Sequence, residues 1–184
     1  DGYTTHQNSL DALQFIEEQK AKPFFLYYAT WLVHTPIHTR SKALLDKYCK
    51  KLGVKADPEN PGAWTGKGQT NPFYCAMVEE LDSYMGHLFD YLESTEDPRW
   101  PGHKLVENTY IIFTSDNGGM EKTPGEIITD NYPLDRGKIS LMEGGTRVPL
   151  IIRKPGAPPA RVDSKALVEL VDLYPTLAEL CGLK

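Results

Sequence analysis

Four polar residues of this 184-residue chain could take part in chemistry. Asp116 supplies a carboxylate and Asn117 an amide oxygen, and adjacent hard oxygens suit Ca²⁺ or Mg²⁺. His34 is a candidate acid, base or anion contact, and Lys138 is a candidate cation. Each also has an ordinary structural explanation, since Asp-Asn-Gly-Gly makes turns, a His after a strand is often structural, and a Lys is usually an exposed cation.

Three of these residues follow segments that have the composition of strands. The apolar and aromatic run 24–29 is too short for a helix and predicts a buried strand, after which His34 lies in a loop. The β-branched run 109–114 predicts a second strand, with Asp116 and Asn117 at its C-terminal end. Open α/β sheets bind ligands outside the carboxyl ends of their strands. We therefore expect the three side chains on one edge of a sheet, directed toward a common cleft.

The remaining regular structure is predicted from apolar periodicity and from helix-terminal signals. Apolar residues at 3- and 4-residue steps predict helices over 10–19, 41–53 and 72–94, and Asp172 is a candidate N-cap for a last helix closed by Gly182. Residues 148–153 predict a third strand and 166–170 a fourth. Strands that alternate with helices predict an α/β fold with a largely parallel or mixed sheet and helices on both faces.

Two segments have little apolar periodicity. Residues 57–72 are rich in Pro, Gly and Asn, and residues 118–147 are rich in turn-forming residues. Long irregular segments in compact domains are more often functional than idle.

Composition and charge exclude several classes of protein. Lys and Arg number 20 against 25 Asp and Glu, which gives a formal charge of −5 and excludes a general nucleic-acid binder. With 40% hydrophobic and 24% charged residues the chain is typical of a globular protein. No apolar run approaches the roughly 20 residues that span a bilayer. The three cysteines are an odd number, which argues against a complete disulfide framework.

Five segments together resemble the type I sulfatase family, the formylglycine-dependent members of the alkaline-phosphatase-like superfamily. They occur in that family's order and approximate spacing, and the resemblance covers residues 10–183, with its weakest stretch at 40–72. The segments are residues 23–29 with His34-Thr35-Pro36, residues 113–118, residues 136–138, residues 143–149 and residues 172–177.

The resemblance implies an alkaline-phosphatase-like α/β fold and hydrolysis of sulfate esters, either small molecules or sulfated carbohydrates. It implies that Asp116 and Asn117 are ligands to a divalent cation, usually Ca²⁺. It also implies that His34 lies near the sulfate and the leaving oxygen, and that Lys138 holds the sulfate group. A cation and a Lys would neutralise the sulfuryl oxygens while a nearby donor assists departure of the alcohol.

The chain also departs from the family's pattern. No Cys or Ser begins the Cys/Ser-x-Pro/Ala-x-Arg motif that matures to formylglycine, and the family's N-terminal paired Asp ligands and Lys-x-His segment are absent. We therefore expect residues 1–184 to be a partial sulfatase catalytic domain that lacks the N-terminal nucleophile segment and the C-terminal subdomain. The isolated chain would then be inactive, with its formylglycine nucleophile outside the chain.

Two alternatives stay open at this point. One is a phosphatase, phosphonate hydrolase or phosphotransferase of the same superfamily, with a Thr, Ser or Cys nucleophile. The other is a non-catalytic module that retains the fold.

Overall fold

Five α-helices and two β-strands form the regular structure of the computed structural model, which describes residues 4–57, 59, 68–121, 128–158 and 166–183. Within those residues, no helix is both long enough and apolar enough to serve as a transmembrane span. Short 3₁₀ turns at Leu105–Asn108 and Leu170–Asp172 complete the elements. In chain order the helices and strands are α1 (Thr4–Gln19), α2 (Lys42–Leu52), α3 (Pro72–Ser94), β1 (Ile111–Thr114), α4 (Glu143–Thr146), β2 (Leu150–Arg153) and α5 (Leu173–Leu180).

Helices α2 and α3 begin where their sequences supply a cap. The Ser41 hydroxyl accepts the backbone N–H of Leu44 at the start of α2, and Gly53 ends the helix with a left-handed φ of 67°. The Asn71 side chain accepts the backbone N–H groups of Phe73 and Tyr74 at the start of α3. These capping residues satisfy backbone groups that the helices leave unpaired, so the predicted helices over 41–53 and 72–94 are confirmed.

One core cluster joins α1 to α3. Ala12 and Ile16 are one helical turn apart on α1, so they share a face, and they pack against Leu88 and Leu92 of α3. Leu105 of the first 3₁₀ turn closes the cluster and is 1% exposed. The segment 24–28 also contacts this cluster through its inward-facing side chains, which are Phe24, Leu26 and Tyr28.

A second core cluster joins the segments that carry the candidate site residues. Leu32 and Ile37, on either side of His34, are buried with Phe73 and Met77 of α3. Ile128, ten residues before Lys138, is 2% exposed and belongs to the same cluster. Burial of these apolar side chains thus fixes the backbone near His34 and Lys138.

The α/β class is confirmed, but the sheet differs from the largely parallel or mixed sheet with helices on both faces that the sequence predicts. The sheet in the described residues consists of β1 and β2, which pair antiparallel with Ile111 opposite Arg153 and Thr114 opposite Leu150. A parallel pair would need a crossover connection of roughly a dozen residues, usually a helix. Among the described residues the connection from β1 to β2 contains only the four-residue α4, and it brings β2 back antiparallel to β1.

Two predicted strands are not formed. The segment 24–29 is extended, and its side chains alternate between half-buried and exposed, with Tyr27 82% exposed. It has strand-like alternation but no ladder partner within the described chain. Residues 166–169 are irregular, and Asp172 accepts the backbone N–H of Glu169 instead of capping α5. The side chain of Asp172 is therefore engaged one turn earlier than predicted. Most of the predicted loop 57–72 lies outside the described residues.

Candidate active site

The structure brings His34 and Lys138 into direct contact. Nζ of Lys138 lies 3.0 Å from Nε2 of His34, which is hydrogen-bond distance. The His34 side chain is exposed, and Lys138 is half-buried. The two polar groups therefore meet where an incoming ligand can reach both of them.

The His34 ring is oriented by its immediate neighbours. Nδ1 lies 3.0 Å from the carbonyl oxygen of Thr35, and the Trp31 ring packs edge-on against the imidazole with centroids 5.4 Å apart. The Trp31 indole N–H donates to the same Thr35 carbonyl at 3.2 Å. The Thr35 hydroxyl lies 3.2 Å from the same Nδ1 and can donate or accept. Because a carbonyl can only accept, the Thr35 carbonyl favours the tautomer with the proton on Nδ1, in which Nε2 accepts from Lys138.

The loop that carries Lys138 has an unusual backbone. Arg136 has φ of 60° and Ile139 has φ of 71°, so residues in the left-handed region stand on both sides of the Gly137-Lys138 pair. A β-branched residue rarely adopts this region, so the conformation at Ile139 is strained. The Ile139 side chain is 93% exposed, and its burial therefore cannot compensate for the strain. Contacts elsewhere in the loop must hold Lys138 in place.

Asp116 and Asn117 lie directly after β1, as the sequence predicts. The Asp116 side chain is exposed, and Asn117 is half-buried, with its carbonyl accepting the Ser115 hydroxyl at 2.8 Å. No hydrogen bond of the described chain joins the Asp116 carboxylate to His34 or Lys138. The loop beyond β1 approaches Lys138 through its backbone instead.

Backbone hydrogen bonds join the segment 115–119, called here the Asp116-Asn117 loop, to the segment 135–145, called here the Lys138 loop. The N–H of Lys138 donates to the carbonyl of Gly119 at 2.9 Å, and the N–H of Gly118 donates to the carbonyl of Gly145 at 3.0 Å. Gly144 in turn donates to the carbonyl of Asp135 at 2.8 Å. The two halves of the candidate site are therefore part of one hydrogen-bonded unit.

Glycine makes this close approach possible. A Cβ atom at Gly118 would lie 1.7 Å from the carbonyl oxygen of Gly144, and one at Gly144 would lie 1.8 Å from that of Arg136. A Cβ atom at Gly137 would lie 2.1 Å from the carbonyl oxygen of Gly119. Such distances are sterically forbidden, so these positions require glycine for close packing of backbone on backbone.

A cleft of about 360 Å³ opens beside Lys138, a volume within the range of small-molecule sites. Its charged lining combines two cations, Arg136 and Lys138, with the carboxylate of Glu121. A mainly cationic wall suits an anionic ligand. The other lining residues are Gly137, Ile139 and Ser140.

The donor chemistry of Asp116 and Asn117 fits a hard divalent cation only in part. A carboxylate and an amide oxygen are suitable ligands, but Ca²⁺ takes 6–8 oxygens. Among the described residues, no group of three or more His, Cys, Asp or Glu side chains is arranged to hold a metal ion. Asp116 and Asn117 can therefore supply two ligands of a larger set.

Asn131 is a residue of this site that the sequence analysis did not single out. Its side-chain nitrogen donates to the carbonyl oxygens of Gly119 and Arg136, both at 3.0 Å. The predicted site residues meet differently from the prediction, because His34 follows an extended segment rather than a strand of the sheet. The sequence gives no signal for it, because a single Asn within an irregular segment has no periodicity. Its role is visible only from the two carbonyl groups that it contacts in the folded chain.

Comparison with known proteins identifies the family. The Sulfatase family profile matches residues 1–183. A protein named "Sulfatase" from Formosa agariphila is 39% identical over 167 residues, which cover 88% of this chain and 26% of that protein. The N-acetylgalactosamine-6-sulfatase of Canis lupus familiaris is 31% identical over 94% of this chain and 28% of its own length. The chain thus spans about a quarter of the length of these curated relatives.

A solved structure agrees with these sequence matches. The crystal structure of Ps i-CgsB in complex with k-i-k-neocarrahexaose superposes with a TM-score of 0.70 at 32% sequence identity. The superposition covers 99% of this chain and 35% of that one. With a family profile that spans nearly every residue, relatives above 30% identity and a matching fold, the chain belongs to the sulfatase family.

Proposed function

We propose that this chain is part of the catalytic domain of an enzyme that hydrolyses sulfate esters by a metal-assisted formylglycine mechanism. The observation that carries the proposal is the 3.0 Å contact between Lys138 and His34, beside a cleft and next to the Asp116-Asn117 loop. Family membership supports the reaction class. The nucleophile and the remaining metal ligands would lie outside residues 1–184, and the isolated chain would be inactive.

In this proposal Lys138 binds the sulfuryl group. Its ammonium is a strong hydrogen-bond donor, and a sulfate ester presents sulfuryl oxygens whose negative charge a positioned cation stabilises. On ligand binding, Nζ would exchange its contact with His34 for one with a sulfuryl oxygen. Because the Lys138 N–H already donates to the carbonyl of Gly119, little ordering would be required at that moment.

His34 would act as the general acid that protonates the leaving alcohol. With Nδ1–H directed at the Thr35 carbonyl, Nε2 is the ring atom that can take or give a proton. The edge-on contact with Trp31 limits rotation of the ring. For that step the ring would first take a second proton at Nε2 and become an imidazolium; donation of that proton to the ester oxygen as the bond to sulfur breaks would return the neutral ring with its proton on Nδ1.

Asp116 and Asn117 would supply two oxygen ligands to Ca²⁺ or Mg²⁺. When bound, such a cation would neutralise charge on the sulfuryl oxygens and help to orient the ester. The hydrogen bond from Lys138 N–H to Gly119 would keep this loop in register with the sulfate-binding Lys.

We propose sulfated carbohydrates as the substrate class. One relative is named N-acetylgalactosamine-6-sulfatase, and the similar solved structure is a complex with neocarrahexaose. The cleft beside Lys138 is lined by charged residues and by Ser140, which suit the hydroxyl groups of a sugar.

The test uses a full-length protein that contains this chain together with a segment bearing a matured formylglycine. Sulfate release is measured from k-i-k-neocarrahexaose and from N-acetylgalactosamine 6-sulfate, and phosphate release from p-nitrophenyl phosphate is measured in parallel. We expect sulfate release from at least one sulfated sugar to exceed phosphate release by about a hundredfold or more, since the site is matched to one oxyanion. Faster phosphate release would contradict the proposal.

A further inference from the structure

One side-chain amide joins the two loops of the candidate site. Nδ2 of Asn131 donates to the carbonyl of Gly119, in the loop that follows Asp116 and Asn117. The same nitrogen donates to the carbonyl of Arg136, in the loop that carries Lys138. Both distances are 3.0 Å, so each amide hydrogen has a carbonyl acceptor on a different loop.

The chemistry of these contacts requires a primary amide. An NH₂ group carries two hydrogens on one nitrogen and can serve two carbonyls at once. A hydroxyl at this position would have one hydrogen, and an ionised carboxylate would have none and would repel both carbonyl oxygens. The surroundings leave little room for adjustment, because a Cβ atom at Gly137 would lie 2.6 Å from the Asn131 nitrogen.

The backbone around Asn131 is itself anchored. The Asn131 N–H donates to a carboxylate oxygen of Glu121 at 3.0 Å, and the Asn131 carbonyl accepts the N–H of Leu134 at 2.9 Å. Two residues earlier, Thr129 is 2% exposed and bonds the carbonyl of Met120 through both its N–H and its hydroxyl. The amide therefore acts from a fixed position.

We propose that Asn131 is a positioning residue that holds Lys138 against His34 by tying the Lys138 loop to the Asp116-Asn117 loop. The consequence of this positioning for catalysis rests on the proposed function. The carbonyl of Gly119 accepts both the Asn131 amide and the Lys138 N–H, so the amide and the Lys138 backbone share one anchor. Without the amide, the strained backbone at Arg136 loses its side-chain donor, and the loop relaxes away from His34.

The test uses NMR on the labelled 184-residue chain and its variants. Asn131→Ala removes the amide, and Asn131→Asp keeps the side-chain shape while removing both donors. Asn108→Ala is the matched control, because Asn108 donates a single side-chain hydrogen bond to Asp97. Two signals are measured: hydrogen exchange of the Lys138 amide, and the nuclear Overhauser contact between the Lys138 Cε protons and the His34 ring. The amides of α3 report whether the chain stays folded.

In both Asn131 variants we expect the Lys138 amide to exchange about tenfold faster or more, the factor that corresponds to about 1.4 kcal/mol. The Overhauser contact with His34 is expected to disappear, while the amides of α3 stay protected. Asn108→Ala is expected to change neither Lys138 signal. A Lys138 amide and an Overhauser contact unchanged in Asn131→Asp would overturn the proposal. Loss of α3 protection in both Asn131 variants would also overturn it, since Asn131 would then hold the whole fold rather than one loop.

These signals need no turnover, so the inference and the proposed function can fail separately. A full-length protein without sulfatase activity would reject the function and leave the exchange result at Lys138 as it stands. An active full-length enzyme whose kcat is unchanged by Asn131→Asp, with KM also unchanged, would reject the positioning role and leave the function intact.

Discussion

Nζ of Lys138 lies 3.0 Å from Nε2 of His34, although 104 residues separate the two in sequence. The contact is held by apolar burial on both sides, since Leu32 and Ile37 flank His34 and Ile128 precedes Lys138 in one core cluster. The core and the glycine-mediated contacts between the loops therefore position the two side chains. The folding stability of the chain does not depend on the polar atoms Nζ and Nε2 themselves. Substitutions at its exposed atoms are expected to change function with little cost in folding.

The first prediction concerns Lys138 in a full-length enzyme with a matured nucleophile. Lys138→Ala removes the cationic donor to the sulfuryl oxygens, and we expect kcat to fall by about 10²–10³, as for removal of one positioned oxyanion donor. Steady-state hydrolysis of p-nitrophenyl sulfate at saturating substrate measures the change.

Lys50→Ala provides the control for Lys138. Lys50 is exposed on α2, so its truncation removes the same charge from a solvated helix surface. We expect kcat within about twofold of the unsubstituted enzyme, because exposed charges screened by water contribute little. Equal losses at Lys50 and Lys138 would remove any catalytic role for Lys138.

The second prediction concerns metal binding by the isolated chain. Asp116 and Asn117 supply two of the 6–8 oxygens that Ca²⁺ takes, and water would have to supply the others. We expect calorimetric titration of the 184-residue chain to give no binding tighter than about 1 mM, the range of weak calcium sites. Micromolar binding that Asp116→Ala abolishes would mean that this chain holds a nearly complete site.

Helices were predictable from the sequence because their determinants are local. Ser41 and Gly53 bound α2, and Asn71 with Pro72 starts α3, so capping chemistry and the apolar stripe coincide at the helix ends. β1 and β2 were predicted to within two residues because their β-branched residues favour a strand, and each strand has the other as its ladder partner.

The sheet arrangement was not predictable in the same way. Composition describes the segment 24–29 as strand-like, but a ladder needs a neighbouring backbone, and the segment has none in the described chain. The direction of β1 against β2 depends on the path of the intervening loops. The glycines at 118, 137 and 144 had an obvious turn-forming explanation, and only the structure reveals that each packs directly against a backbone carbonyl of another part of the site. Tertiary contacts of this kind leave no periodic signal in one sequence.

The third prediction compares two glycines. Gly144→Ala places a Cβ atom 1.8 Å from the Arg136 carbonyl oxygen, and the backbone must move. We expect the free energy of unfolding to fall by about 2–3 kcal/mol, as for severe overpacking. Gly86→Ala is the opposite case, because Gly86 lies within α3 and its added Cβ meets nothing within 4 Å. There we expect a gain of about 0.5–1 kcal/mol from helix propensity.

Urea unfolding followed by circular dichroism measures both glycine variants. A stability loss at Gly86 would indicate an unrecognised packing role for that position. A neutral Gly144→Ala would show that the loop contact between residues 136 and 144 relaxes easily, and it would weaken the view that these loops form one rigid unit.

The last prediction concerns a buried carboxylate away from the candidate site. Asp97 is fully buried, and burial opposes ionisation of its carboxyl group. Hydrogen bonds from the Asn108 side chain and from the Arg99 N–H, together with the positive charge of the Arg99 guanidinium, favour the ionised form. These interactions outweigh the effect of burial and hold the pKa of Asp97 below its usual value. Because the pKa is lower in the folded state than in the unfolded state, the stabilisation is complete above the unfolded value of about 3.9 and is lost as the pH falls through the folded value.

Asp97→Asn removes this titration and exchanges one acceptor oxygen for a donor. At pH 7 we expect the variant to be less stable by about 1–3 kcal/mol, since the Asn108 amide or the Arg99 N–H loses its buried partner. As the pH falls from about 4 toward 2 the difference from the unsubstituted chain should shrink, because protonation of Asp97 costs the unsubstituted chain the same interactions. Asp90→Asn, at an exposed position of α3, is the control and should leave the unfolding profile nearly unchanged. A difference that stays constant down to pH 2 in chemical unfolding would show that ionised Asp97 contributes no pH-dependent stability.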